Sequence, residues 1–138
     1  MTPEQVFLVQ RSWRLAQPVA NTVAEIFYAR LFALDPAVQA LFKNDMREQR
    51  RKLMAVIGGV VSELSRLERV VPAVQQLGRR HAGYGVRDAH YATVGAALLW
   101  ALEQALNEAF TPDVKSAWAC AYGLLAKTMQ DAAAQVPA

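Results

Sequence analysis

Four times along this chain a capping or polar residue stands directly before proline: Thr2-Pro3, Gln17-Pro18, Asp35-Pro36 and Thr111-Pro112. Proline at the first position of a helix forfeits no hydrogen bond and pre-sets φ, and Thr or Asp before it can accept from an orphan N–H. Four helix starts are thus marked. Gln5, three residues after Thr2, completes the pattern of a capping box, and Pro72 stands near the start of the segment running to His81. Between these marks apolar residues return at helical spacing. Val23, Phe27 and Leu31 share one face; Leu53, Val56/Ile57, Val60 and Leu64 share another; Tyr91, Val94, Leu98 and Leu102, then Val114, Trp118, Ala121, Leu125 and Met129, do the same. No window alternates as a strand does. The pattern predicts an all-α fold with helices over 3–16, 18–33, 36–42, 46–66, 72–83, 88–108 and 112–134, and a frayed tail from Ala134. Gly58-Gly59 weakens the middle helix by roughly 1 kcal/mol per glycine, which predicts a close helix crossing there as compensation.

Composition narrows the class. With 138 residues, 54% hydrophobic, the chain has material for one core, and residues 1–138 are expected to form one domain. No apolar run approaches the roughly 18 residues of a membrane span, and Glu4, Arg11 and Arg14 interrupt the place of a secretory signal. A soluble, cytoplasmic protein with no membrane partner is expected. The single cysteine, Cys120, permits no internal disulfide and no thiolate cage, and reads as a small buried hydrophobe. Fifteen basic against twelve acidic residues give a net charge of +3. The main basic run, Arg47, Arg50, Arg51 and Lys52, is broken by Glu48 and lacks interleaved aromatics, so no nucleic-acid partner is expected.

Catalytic motifs are scarce: there is no G-x-S-x-G, P-loop or H-E-x-x-H, and Gly83-Tyr84-Gly85 follows a helix as a C-cap and turn. His81 is the most informative single residue. It falls seven after Val74 and four after Leu77, which turns the imidazole toward the core, either as a core histidine bonded to a carbonyl or as a ligand. Leu77 and Val86 supply apolar walls, and Arg79, Arg80 and Tyr84 supply donors at the rim, a set suited to a planar apolar cofactor with an anionic edge. Gln49 and Leu53 share a face of the middle helix, with Lys52 toward its flank. Gln49, Tyr28 and Phe42 each read equally well as boundary or core residues on spacing alone.

Together these residues resemble the globins, from about residue 4 to residue 130. The likeness is to single-domain bacterial haemoglobins related to the globin domain of flavohaemoglobins, including the Hell's Gate globins, and more distantly to neuroglobin. It is carried by Phe27-Tyr28-Ala29-Arg30-Leu31-Phe32 with Asp35-Pro36 and Leu41-Phe42, by Arg51-Lys52-Leu53-Met54 with Val56, and by Leu77-Gly78-Arg79-Arg80-His81 with Tyr84-Gly85-Val86. Phe110-Thr111-Pro112, Ala117-Trp118 and Ala121-Tyr122-Gly123 add to it. The resemblance implies a 3-on-3 sandwich of six to eight helices around haem b. It implies that His81 ligates the iron and that Phe42 packs on the haem. Tyr28 and Gln49 are the implied distal residues, with Leu53 closing the pocket. Lys52 and Tyr84 are implied propionate contacts, and Tyr91 stands behind His81. Leu77, Arg80, Val86 and Val94 complete the expected haem contacts.

Two departures shape the function expected. Neuroglobin has a histidine where Gln49 stands, and glutamine is a poor iron ligand, which implies a five-coordinate ferrous iron. Flavohaemoglobins have a glutamate eleven residues past the tyrosine matching Tyr122; Ala133 stands there, so the resemblance does not extend to that proximal support. The function implied is reversible binding of O2, and of NO or CO, for oxygen storage or scavenging by a monomer or weak homo-oligomer. Nitric oxide dioxygenation through a separate reductase is the enzymatic alternative, since 138 residues leave no room for a flavin and NAD(P)H module or a signalling output. A haem-free globin-like interaction or fatty-acid-binding module is the alternative from another class.

Overall fold

The computed structural model describes residues 1–43 and 45–135, and all regular structure among them is helical. Helix α1 spans Pro3–Ala16 and opens on the expected capping box. Thr2 Oγ1 accepts from the Gln5 N–H at 3.1 Å, and Gln5 Oε1 accepts from the Thr2 N–H at 2.9 Å. Thr111 likewise accepts from the Val114 N–H at 3.2 Å to start α6, Pro112–Ala133. The expected fray from Ala134 falls largely on residues 136–138, outside the described residues.

Two proline marks open 3-10 turns instead of α-helices. Gln17-Pro18 begins a turn over Gln17–Val19, and α2 runs only from Ala20 to Leu34. Pro36–Leu41, expected as an α-helix to residue 42, is 3-10, and the Asp35 side chain caps nothing. In a segment of six residues, i→i+3 bonds satisfy more donors than i→i+4 bonds would. Helix α3, Met46–Ser62, also ends earlier than residue 66. Arg66 leaves helical backbone at φ −140° within a 3-10 stretch, Leu64–Arg69, whose first residue, Leu64, is buried in the main core. α4 covers Val71–Gly83, and Gly85 at φ +91° takes the left-handed position of the turn after it. α5, Asp88–Leu106, starts where the Arg87 N–H donates to His90 Nδ1 at 2.9 Å, so the second histidine serves a helix start.

The main core joins α1, α2, α5 and α6 through Val9, Trp13, Val23, Leu31, Leu102 and Trp118. A smaller cluster of Val74, Tyr91, Ala126 and Met129 joins α4, α5 and α6. The glycines that permit close approach are Gly78 and Gly95, not the expected Gly58-Gly59. A Cβ on Gly78 would lie 2.6 Å from Met129 Cα, and one on Gly95 would lie 2.8 Å from the Tyr122 ring. At Gly58 it would meet Trp13 at an ordinary 3.6 Å, and at Gly59 nothing. The crossing of α4 on α6 is therefore where small residues are needed. Cys120 is half-buried, not the buried hydrophobe expected, lying between exposed Ala119 and half-buried Ala121 on α6. No helix among the described residues is long and apolar enough to cross a membrane.

Candidate functional site

The packing pattern leaves a crevice. α3 packs on α1 and α2, whereas α4 packs on α6, and among the described residues α3 does not pack closely on α4 or α5. Leu53 and Ile57 of α3, Leu77 of α4, Val86 and Val94 are accordingly apolar yet only half-buried. Val60 packs on the smaller cluster shared by α4, α5 and α6, which closes the crevice toward the C-terminal end of α3. The turn after α4 meets the chain before α3 at the other end, where a Cβ on Gly85 would lie 3.6 Å from Leu41.

On the α2–α3 side, Gln49 Nε2 donates to Tyr28 Oη at 3.2 Å. Tyr28 is 5% exposed and set among aromatic rings: Phe27 at 4.8 Å, Phe42 at 5.4 Å and Phe32 at 5.9 Å between centroids. Burial pushes the phenol above its ordinary value; the Gln49 bond and the Arg50 charge pull it down but do not prevail. Tyr28 is thus a neutral phenol at neutral pH, and because its oxygen accepts from Gln49, its own proton is left to donate elsewhere.

On the α4 side, His81 Nδ1 lies 2.8 Å from the Leu77 carbonyl. A carbonyl only accepts, so the proton sits on Nδ1 and Nε2 keeps a free lone pair. Burial holds the imidazole below its ordinary range, outweighing that carbonyl bond, so the ring is neutral at neutral pH. The His81 carbonyl accepts from the N–H groups of Tyr84 and Val86, which fixes the turn beneath the ring. This donor set suits a metal centred in a flat apolar group: one neutral imidazole with an oriented lone pair, apolar walls, and a neutral hydrogen-bond donor on the facing wall.

The remaining expected residues divide. Lys52 and Arg80 are exposed and enter no ion pair among the described residues, and Tyr84, 65% exposed, stands 6.3 Å from the His81 ring. Tyr91 is buried in the cluster with Leu77 and Val86, but its phenol is not the partner of His81; its carbonyl accepts from Tyr122 Oη at 2.6 Å. Two contributors escaped sequence reasoning. Phe32, part of the motif over residues 27–32 but not singled out within it, meets Phe42 edge-on at 5.5 Å and Tyr28 at a tilt at 5.9 Å. Arg50 holds its charge near Tyr28, with its Nε buried and unpartnered. Its position directly after Gln49 was the only available signal.

An all-helical sandwich with a histidine on one wall of a crevice and a tyrosine–glutamine pair across it is a globin-type architecture. The family model described as Globin matches residues 25–129, and the chain belongs to the globin family. It is 29% identical to a flavohemoprotein of Bacillus subtilis over 86% of its own length, and 28% identical to one of Xylella fastidiosa over 94%. It spans about a third of the length of these relatives. Among solved structures, a bacterial globin from Campylobacter jejuni superposes with a TM-score of 0.85 at 28% identity, covering 97% of each chain. An engineered carbene transferase from Rhodothermus marinus shares the fold at a TM-score of 0.89 and 24% identity, covering 98% of this chain and 94% of that one.

Proposed function

We propose that this chain holds haem b between α3 and α4 and binds O2, with other diatomic gases, reversibly. His81 Nε2 is the iron ligand, and Tyr28 with Gln49 forms the gas-facing wall. When bound, haem would supply the iron at which a diatomic gas is taken up. The observation that carries the reading is the direction of the Gln49–Tyr28 hydrogen bond, which leaves the phenol proton of a buried, neutral tyrosine free to donate. Phe42 and Leu53 exclude water from that wall, and Leu77, Val86 and Val94 line the other. Lys52, Arg80 and Tyr84 meet the carboxylate edge, and Tyr91 packs behind the proximal helix.

A second reading is nitric oxide dioxygenation: the Rhodothermus marinus neighbour derives from a protein described as a nitric oxide dioxygenase, and the curated relatives' name, flavohemoprotein, pairs haem with a flavin that could supply electrons. The net conversion takes one nitric oxide, one dioxygen and one electron to one nitrate, so it needs an electron donor beyond this helical bundle. Absorption spectra of the ferric, ferrous and oxygenated forms test the primary reading. A Soret band with a five-coordinate ferrous form that converts to a stable oxygenated one is expected. A protein that takes up no haem on reconstitution overturns it in favour of a haem-free module.

A further inference from the structure

The net charge of +3 is not spread over the molecule. Residues 43–52 and 79–88 hold eight of the fifteen Lys and Arg but three of the twelve Asp and Glu, so these two segments carry +5 and the rest of the chain −2. The two segments adjoin in space, because the Gly85 turn lies against Leu41, just before Lys43. They therefore form one basic rim at the end of the crevice away from Val60. Lys43, Arg47, Lys52, Arg79, Arg80 and Arg87 are all exposed. The acidic groups within the rim are already counted in the +5. Asp45 caps Arg47 N–H at 2.8 Å, Glu48 is taken up by Arg51, and Asp88 opens α5. Of the three ion pairs among the described residues, only Arg51–Glu48 lies here.

We infer that this rim is the docking surface for an acidic one-electron carrier protein, and that it returns the ferric protein to the ferrous state. The inference rests on the haem reading above. Its chemistry balances simply: the reduced carrier gives up one electron and the ferric iron gains it, with no bond made or broken. All regular structure among the described residues is helical, with no strand on which to build a flavin or nicotinamide site, so the electron arrives from outside this bundle. Two carboxylates on a haem edge would offset two of the five net charges and leave +3, more than an edge contact needs. A concentrated rim of one sign raises encounter rates with an oppositely charged partner by about ten- to a thousandfold and loses that gain as salt rises. Nucleic acid fits less well, since Tyr84 is the only aromatic exposed on the rim.

The test uses the full chain with haem, and reduced flavodoxin as the acidic probe. Stopped-flow reduction of the ferric protein is followed against ionic strength, beside reduction by dithionite. The variant reverses Lys43, Arg47 and Arg87 to Glu, none of them a proposed haem contact, and Lys115→Glu, outside both segments, is the control. The wild type is expected to be reduced at a rate that falls steeply with salt. The triple variant should be slower by about tenfold or more at low salt, with flattened salt dependence, an unchanged dithionite rate and unchanged O2 binding. A salt-independent flavodoxin rate, or an undiminished rate in the triple variant, overturns the inference. Tighter salt-sensitive binding to phosphatidylserine vesicles or duplex DNA than to flavodoxin overturns it too. Calorimetric binding of flavodoxin to the unreconstituted chain decides the docking even if haem uptake fails, so loss of the haem reading and loss of this one are told apart.

Discussion

Gln49 on α3 donates through its Nε2 to the phenol oxygen of Tyr28 on α2, 3.2 Å away. The two residues lie twenty-one apart in the chain, and the bond ties the helices together at the mouth of the crevice. Its direction matters more than its length. An amide that accepted from the phenol would consume the tyrosine's only proton; an amide that donates leaves that proton directed at a third group. Burial keeps the phenol protonated well past neutral pH, so the donor is present under ordinary conditions.

Tyr28→Phe should therefore speed O2 dissociation. A hydrogen bond to a partner bearing charge contributes about 1.5–3 kcal/mol, equivalent to roughly ten- to a hundredfold in affinity. Stopped-flow displacement of O2 by CO measures it directly. Gln49→Leu should raise the rate less, because Gln49 acts on the phenol and the phenol remains. An unchanged rate in Tyr28→Phe removes the tyrosine from that role.

His81→Ala should retain the helical fold and lose haem. The imidazole is bonded only to the Leu77 carbonyl of its own helix, so its removal breaks no tertiary hydrogen bond. Haemin titration should show affinity reduced by more than about a hundredfold, while far-ultraviolet circular dichroism stays near wild type. His81→Gly with added imidazole should restore the Soret band. Normal haem affinity in His81→Ala would place the ligand elsewhere.

The sequence made local matters legible and tertiary ones much less so. Thr2, Gln5 and Thr111 are caps because their partners are three residues away, and His81 faces inward because Val74 and Leu77 share its helical stripe. Nothing within a few residues of Pro36 reveals that its six-residue segment takes 3-10 bonds, and the apolar stripe runs on through Leu64 past Ser62, where α3 stops. Gly58-Gly59 drew attention as a pair, yet the close approach belongs to Gly78 and Gly95, whose partners lie on α6. The same limit applies at the site. Tyr28 and Gln49 were both candidates, but the direction of their bond and the Arg50 charge nearby depend on how α2 and α3 dock.

Alkaline stability should depend on Tyr122. Its hydroxyl donates to the Tyr91 carbonyl at 2.6 Å, and burial drives its ionisation well above the ordinary 10.0, with Tyr28 and Tyr91 raised as well. Below pH 10 both folded and unfolded chains keep these protons, and stability does not depend on them. Above it the unfolded chain releases protons that the folded chain retains, so stability falls as pH rises. Denaturation midpoints between pH 9 and 11.5 should decline. Tyr122→Phe should lose about 1 kcal/mol at neutral pH but show a shallower decline. A variant as steep as wild type assigns the alkaline loss to other groups.

Gly78→Ala and Gly58→Ala should change stability in opposite directions, although each adds one methyl group to a helix. At Gly78 the new Cβ would lie 2.6 Å from Met129 Cα, and backbone on α6 cannot rotate away as a side chain could. The helices must separate, at a cost of about 3 kcal/mol. Because α4 carries His81 and its seat on α6 sets where the imidazole sits, haem affinity should fall alongside stability. At Gly58 the methyl would touch the Trp13 ring at 3.6 Å, an ordinary contact. The variant gains helix propensity there and should be more stable by about 0.5–1 kcal/mol, with haem affinity unchanged. Urea denaturation with haemin titration on both variants checks the pair. Equal losses would mean that α1 and α3 pack as tightly at Gly58 as α4 and α6 do at Gly78.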